Sequence, residues 1–235
     1  SVDVSGCMDI SGIPAVCGSL QRQSGLQDLT LTLADTGTRD VSALGQAMQN
    51  LSKLHRLSVD LKNCEDTSDL SAICGSLRNL PGLKDLTLIL ASTGLRDVSE
   101  LGQAMQGLTS LHRLSVDVSG CMDISGIPAV CGSLQRQSGL QDLTLTLADT
   151  GTRDVSALGQ AMQNLSKLHR LSVDLKNCED TSDLSAICGS LRNLPGLKDL
   201  TLILASTGLR DVSELGQAMQ GLTSLHRLSV DVSGC

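Results

Sequence analysis

Two hydrophobic rhythms alternate along this chain. In the first, apolar residues take every second place: Leu29, Leu31 and Leu33, then Leu57, Val59 and Leu61, with polar residues between them. Successive side chains of a strand point to opposite faces, so the pattern predicts strands of about four to six residues with one buried face. In the second rhythm, Val98, Leu101, Met105 and Leu108 recur at steps of three and four. That spacing marks one face of a helix. Asp97 stands just ahead of this face with Glu100 three residues on, which predicts a capping box at the helix start. Pro14, near the start of an equivalent helix, and Pro81, beyond the end of another, sit where proline is tolerated.

The rhythms repeat on three scales. Residues 1–114 are identical to 115–228, and 229–235 begin a third copy. Inside each copy, "SVDVSGCMDISGIPAVCGSL" (1–20) matches "SVDLKNCEDTSDLSAICGSL" (58–77), a period of 57. Aligning 69–86 with 97–114 places Leu70, Ile73, Leu77 and Leu80 on Val98, Leu101, Met105 and Leu108, so the elementary unit alternates between 29 and 28 residues. Eight complete units fit within 1–235, followed by the start of a ninth, as one array. One strand and one helix in a unit this short cannot cover their own apolar stripes, but stacked copies share a continuous core. The predicted fold class is an α/β solenoid with a parallel sheet. Strands stack at about 4.8 Å and helices at about 8 to 10 Å, which puts the sheet on the concave face and the helices on the convex face.

"LHRLSVDLKNC" (54–64) and "LQDLTLTLADT" (26–36) resemble the leucine-rich repeat signature, with Cys64 or Thr36 at the position usually held by Asn or Cys. The likeness runs over essentially the whole chain, and the unit length with a convex helix is similar to the ribonuclease-inhibitor-like class. The strand departs from that pattern by two additional residues, LxxLxLxLxxC, a variant associated with protist proteins. The resemblance implies a binding or scaffolding module.

Composition narrows the function. Phe, Tyr and Trp are absent from the 235 residues and the net charge is −7 at pH 7. Without stacking platforms, and with a charge that repels phosphate, nucleic acid is not an expected partner. No apolar run approaches the roughly 18 to 20 residues of a membrane helix, so membrane insertion is not expected either and the segment reads as soluble.

The outward strand positions form three columns. The first, Asp28, Arg56, Asp85, Arg113 and their copies Asp142, Arg170, Asp199 and Arg227, alternates in sign. It reads as a recognition strip or as self-neutralisation that holds register, and the second is favoured. The next column is hydroxylic, with Thr30, Ser58, Thr87 and Ser115 among its members. The third carries Asp60, Ile89 and Asp117, with acids on alternate strands about 10 Å apart, too wide for one calcium ion. The candidate binding residues are Asp28, Arg56, Ser58, Asp60, Asp85, Thr87, Ile89, Arg113 and Asp117. The acidic stretch "CEDTSD" (64–69) reads as a solvated turn with a helix cap, and no metal or cofactor is expected.

The cysteines form C-x9-C pairs: Cys7 and Cys17, Cys64 and Cys74, Cys121 and Cys131, Cys178 and Cys188, with Cys235 outside the pattern. Each pair is either a staple within its unit or two buried thiols. His55, His112, His169 and His226 all fall in "LHRL" and read as surface residues, with no nucleophile nearby. "NLS" at 50–52 and 164–166 is a glycosylation sequon that matters only if the chain is secreted.

An enzyme needs one asymmetric constellation of groups, whereas every candidate group here recurs with unchanged neighbours. The leading expectation is a window from a long, non-catalytic structural array that forms or decorates a filament. With no polar cap at either end of 1–235, end-to-end or lateral self-association is expected. The alternatives are a multivalent protein- or glycan-binding module using its concave face, and a sequence engineered from a natural consensus. Location is left open, with the outside or surface of a cell favoured over the cytoplasm.

Overall fold

A computed structural model describes residues 1–6, 13–38, 41–153, 155–178 and 184–235. Among them, strands and helices alternate without interruption: β1 (Val2–Asp3), α1 (Ile13–Leu20), β2 (Asp28–Thr32), α2 (Ser42–Met48), β3 (Arg56–Asp60), α3 (Ser71–Leu77), β4 (Asp85–Ile89), α4 (Ser99–Met105) and β5 (Arg113–Asp117). The second half follows the same course: α5 (Ile127–Leu134), β6 (Asp142–Thr146), α6 (Ser156–Met162), β7 (Arg170–Asp174), α7 (Ser185–Leu191), β8 (Asp199–Ile203), α8 (Ser213–Met219) and β9 (Arg227–Asp231). The strands form one parallel sheet in sequence order, β1 to β9. The predicted solenoid is the observed fold.

Register follows the repeat: Leu57 lies beside Leu29 and Leu86, and Val59 beside Leu31 and Leu88. These side chains enter the core, where Leu57 is 2% and Val59 0% exposed. A one-residue slip would carry every such residue to water, which is why alternation pins the pairing. Backbone bonds extend the stacking past the strands. Leu33 N–H donates to Asp60 O at 2.8 Å, and the N–H groups of Lys84 and Asp85 both donate to His55 O at 2.8 and 3.0 Å.

The helix stripe outlasts the helix. Val98 precedes α4 and Leu108 follows it, yet both are buried, because the flanking turns fold inward under the same rhythm. The capping box is not formed. Asp97 Oδ1 instead accepts the Ser99 N–H at 2.9 Å and the Ser99 hydroxyl at 2.7 Å. Glu100 turns away toward Arg78 of the preceding helix, 3.9 Å off. The N-cap is Val98, which makes no side-chain cap bond, and Asp97 holds the first helical amide from one residue further out.

Successive helices pack unequally. A β-carbon on Gly102 would overlap the Ala129 carbonyl carbon of α5, and the same holds for Gly45 with Ala72 and Gly159 with Ala186. No such approach joins α3 to α4, where Gly75 has open space around its Cα. Helices therefore associate closely in twos, α2 with α3, α4 with α5 and α6 with α7.

Candidate functional site

The first outward column is in register as read from the sequence, Asp28 beside Arg56 and Arg56 beside Asp85. Its ladder resolves into discrete contacts. Arg56 donates through Nε and Nη2 to the two oxygens of Asp28 at 2.7 and 2.6 Å. Arg170 grips Asp142 at 2.8 Å through both nitrogens, and Arg227 grips Asp199 at 2.9 and 2.8 Å. Arg113 lies between two acids, 3.9 Å from Asp85 and 3.3 Å from Asp142. The guanidinium hydrogen bonds hold the carboxyls of Asp28 and Asp199 below the ordinary carboxylate range. Neutralised this way, the column offers a foreign ligand little uncompensated charge.

Beside it run the hydroxyls, with Ser58, Thr87 and Ser115 half-buried between neighbouring strands. In the third column the acids serve their own turns. Asp60 Oδ1 accepts the Lys62 N–H and Asp117 Oδ1 the Ser119 N–H, each at 2.9 Å, and Asp174 and Asp231 repeat the bond with Lys176 and Ser233. The sequence reading missed this role, although the signal was there: each acid stands two residues before an exposed turn. Ile89 and Ile203 alternate with these acids and are half-exposed, the apolar points of a polar face.

The eight described cysteines are free thiols, and all but Cys235 are buried. The staple is therefore not formed between Cys64 and Cys74, Cys121 and Cys131, or Cys178 and Cys188; Cys7 lies outside the described residues, so its pairing with Cys17 is not addressed. The first cysteine of each of these three pairs has a bond to make elsewhere. Cys64 Sγ–H donates to Leu33 O of the preceding unit at 3.1 Å, and the Thr36 hydroxyl donates to the same oxygen at 2.7 Å. Cys121 with Thr93 on Leu90 O, and Cys178 with Thr150 on Leu147 O, do the same. Burial pushes the Cys74 thiol up to about 12, which keeps it protonated and unreactive at neutral pH.

In "CEDTSD", Cys64 and Thr67 are buried and the turn is present, but the N-cap of α3 is Leu70, without a side-chain cap bond; Asp69, one residue earlier, accepts the Ser71 N–H at 2.7 Å. Among the described residues, no three His, Cys, Asp or Glu side chains are grouped to hold a metal ion. No helix among them is long and apolar enough to cross a membrane.

A fourth column, unread in the sequence, precedes the first: Gln27, His55, Lys84, His112 and Gln141. With the neighbouring Asp and Arg residues it lines an open groove of about 390 Å³ where the strands begin. The His112 ring Nδ1 lies 2.8 Å from Ser110 O. The histidines are therefore surface residues, as expected, but they stand in one row with the lysines. A second depression, of about 650 Å³, lies over β6 to β9 and includes Thr144, Ser172, Thr201 and Arg227.

No family model matches the chain. Protein NLRC5 of Ictalurus punctatus is 26% identical over 200 residues, covering 84% of this chain but only 11% of its own length, so the chain spans about a tenth of that relative. An internalin from Listeria monocytogenes is similar in structure, with a TM-score of 0.53 and 21% identity over 99% of this chain and 68% of the other. A leucine-rich repeat protein of Leptospira interrogans aligns at a TM-score of 0.43 and 15% identity, over 98% of this chain and 66% of its own. With a strand and a helix in every unit of 28 or 29 residues, one parallel sheet in sequence order and the likeness to the internalin, this chain has the leucine-rich repeat fold.

Proposed function

We propose that the chain is a non-catalytic repeat scaffold, a stretch of an extended array that forms or decorates a filament. One observation carries the reading. Leu114 is 2% exposed although one strand and one short helix cannot cover it, because it lies in register between Leu86 and Leu143 of the units on either side. Each unit completes its neighbour's core, and an array of this kind grows in stability by nearest-neighbour interfaces. The fold supports a scaffold or a protein-binding module, and the self-neutralised face favours the scaffold. Electron microscopy of the purified chain is the test. Elongated assemblies support the reading, and a chain that stays monomeric at every concentration and salt would sink it.

Ile89 and Ile203 favour a second reading, multivalent binding of a protein or glycan across the sheet face. Such a partner would lose affinity for a chain carrying Ile89→Arg and Ile203→Arg; unchanged affinity rules that face out. Placement outside the cell belongs to both readings. Asn50 and Asn164 lie exposed in the turns after α2 and α6, open to glycosylation there.

A further inference from the structure

The net charge of −7 conceals a strong asymmetry. The turns that lead from each helix end into the next strand start, such as 49–56 and 78–85, lie along one edge of the solenoid. Between residues 21 and 227 these turns hold twelve Lys and Arg against four Asp, an excess of eight positive charges, and all four histidines. Lys53, Arg56, Arg78 and Lys84 are typical, and all twelve cations are exposed. Each of the four acids, Asp28, Asp85, Asp142 and Asp199, already has an arginine within 4.0 Å. The opposite edge, from each strand end through the first turn of the helix, carries fifteen acids against five bases among the described residues, an excess of ten negative charges. Asp60, Glu65, Asp69, Asp97 and Asp123 belong to it, as does Glu100, which is paired with Arg78 of the basic edge at 3.9 Å.

Helix dipoles account for part of this bias. Every helix follows a strand of one parallel sheet and points the same way, so the positive helix ends all face the acidic edge. At about half a unit charge per helix end, eight helices offset about four charges on each edge. Side-chain excesses of eight and ten leave both edges charged, with opposite signs. Because the two edges belong to the same units, they also share one repeat.

We infer that the two long edges are complementary docking surfaces for a second copy of this chain, the basic edge of one copy lying along the acidic edge of the next. The inference rests on the scaffold reading and adds to it a partner and a direction of growth, sideways. A second copy fits better than a foreign polyanion because its acidic edge has the same 57-residue periodicity as the basic edge, so contacts recur in step along the array. Unlike edges meet, so the contact is heterologous and leaves one edge of each kind free, which lets growth continue beyond a dimer.

Light scattering of the 235-residue chain tests this. Mean mass should rise with concentration at about 10 mM salt, where the screening length is about 30 Å, and return to that of the monomer near 1 M, where it is about 3 Å. A chain carrying Lys53→Glu, Lys84→Glu, Lys167→Glu and Lys198→Glu should lose the association, as should one carrying Glu65→Lys, Glu100→Lys and Glu214→Lys. Mixing the two should restore pairwise contact, since the first keeps its acidic edge and the second its basic edge. Circular dichroism shows whether each variant folds, and the salt titration of the unaltered chain decides the matter if either does not. Assemblies that ignore salt and survive both variants overturn the sideways contact while leaving the scaffold reading intact. A monomer at low salt overturns the sideways contact, and one at every concentration and salt overturns the scaffold reading as well. Heparin bound by the basic edge without any effect of the lysine variants on self-association also overturns it.

Discussion

Gly102 of α4 lies against the backbone of Ala129 in α5 so closely that a β-carbon has no room between them. Gly75 of α3 faces open space. The two glycines are both in helix interiors, so alanine at either would gain about 0.5 to 1 kcal/mol of backbone preference. At Gly102 the overlap should outweigh this, since overpacking costs about 1 to 3 kcal/mol. Denaturant unfolding should show Gly102→Ala destabilised and Gly75→Ala stabilised, opposite signs for the same substitution.

Asp142 stands between two arginines, 2.8 Å from Arg170 and 3.3 Å from Arg113, and its side chain is 19% exposed. Asp28 has one, Arg56, in a pair whose side chains are 63% and 53% exposed. Exposed ion pairs contribute about 0 to 1 kcal/mol. Asp28→Ala should therefore cost almost nothing, while Asp142→Ala, which leaves two cations facing each other, should cost about 1 kcal/mol. Equal effects in urea melts would show that the ladder acts only as spacing.

Stability should fall at both extremes of pH. Hydrogen bonds from Arg56, Ser99 and Arg227 lower the carboxyls of Asp28, Asp97 and Asp199. A lowered folded value stabilises above the unfolded one, about 3.9, and that contribution disappears as pH drops through the folded value. Burial raises the thiols of Cys17, Cys74 and Cys178. Their contribution is complete below the unfolded value, about 8.5, and is lost as pH climbs toward the folded one. The melting temperature should be flat between about pH 5 and 8 and decline on either side.

Seven of the described cysteines are buried and one, Cys235, is exposed. A thiol reagent should leave the seven buried cysteines unmodified in the native protein and reach them only after unfolding. Fewer thiols in denaturant would mean that the pairs oxidise, and would place the chain in an oxidising compartment.

How far the amino acids alone describe this protein follows from what each feature depends on. Alternation at Leu57, Val59 and Leu61 and the three-four spacing at Leu101 and Met105 are local, so strand, helix, unit length and the columns of Asp28, Arg56 and Asp85 were legible from periodicity. The partner a side chain takes is not local. Whether Asp97 would share its cap with Glu100, or Glu100 would turn to Arg78 of the helix before, depends on a neighbour 22 residues away in sequence. Asp60 stands two residues before a turn, a spacing that permits its oxygen to take the Lys62 amide, but the bond itself needs the turn to be built first. Likewise, Cys64 looks equally like a staple or a core residue until Leu33 O of another unit is placed beneath it.

Repetition of sequence determined the solenoid, because identical units can bury their leucines only against one another. Stacking in three dimensions decided what the repetition could not: which helices close up through glycine, which acids are already committed, and that the charges of one chain divide between two opposite edges. The reason is that a period sets the spacing of groups along the array, while their distances across it exist only once strands and helices have packed.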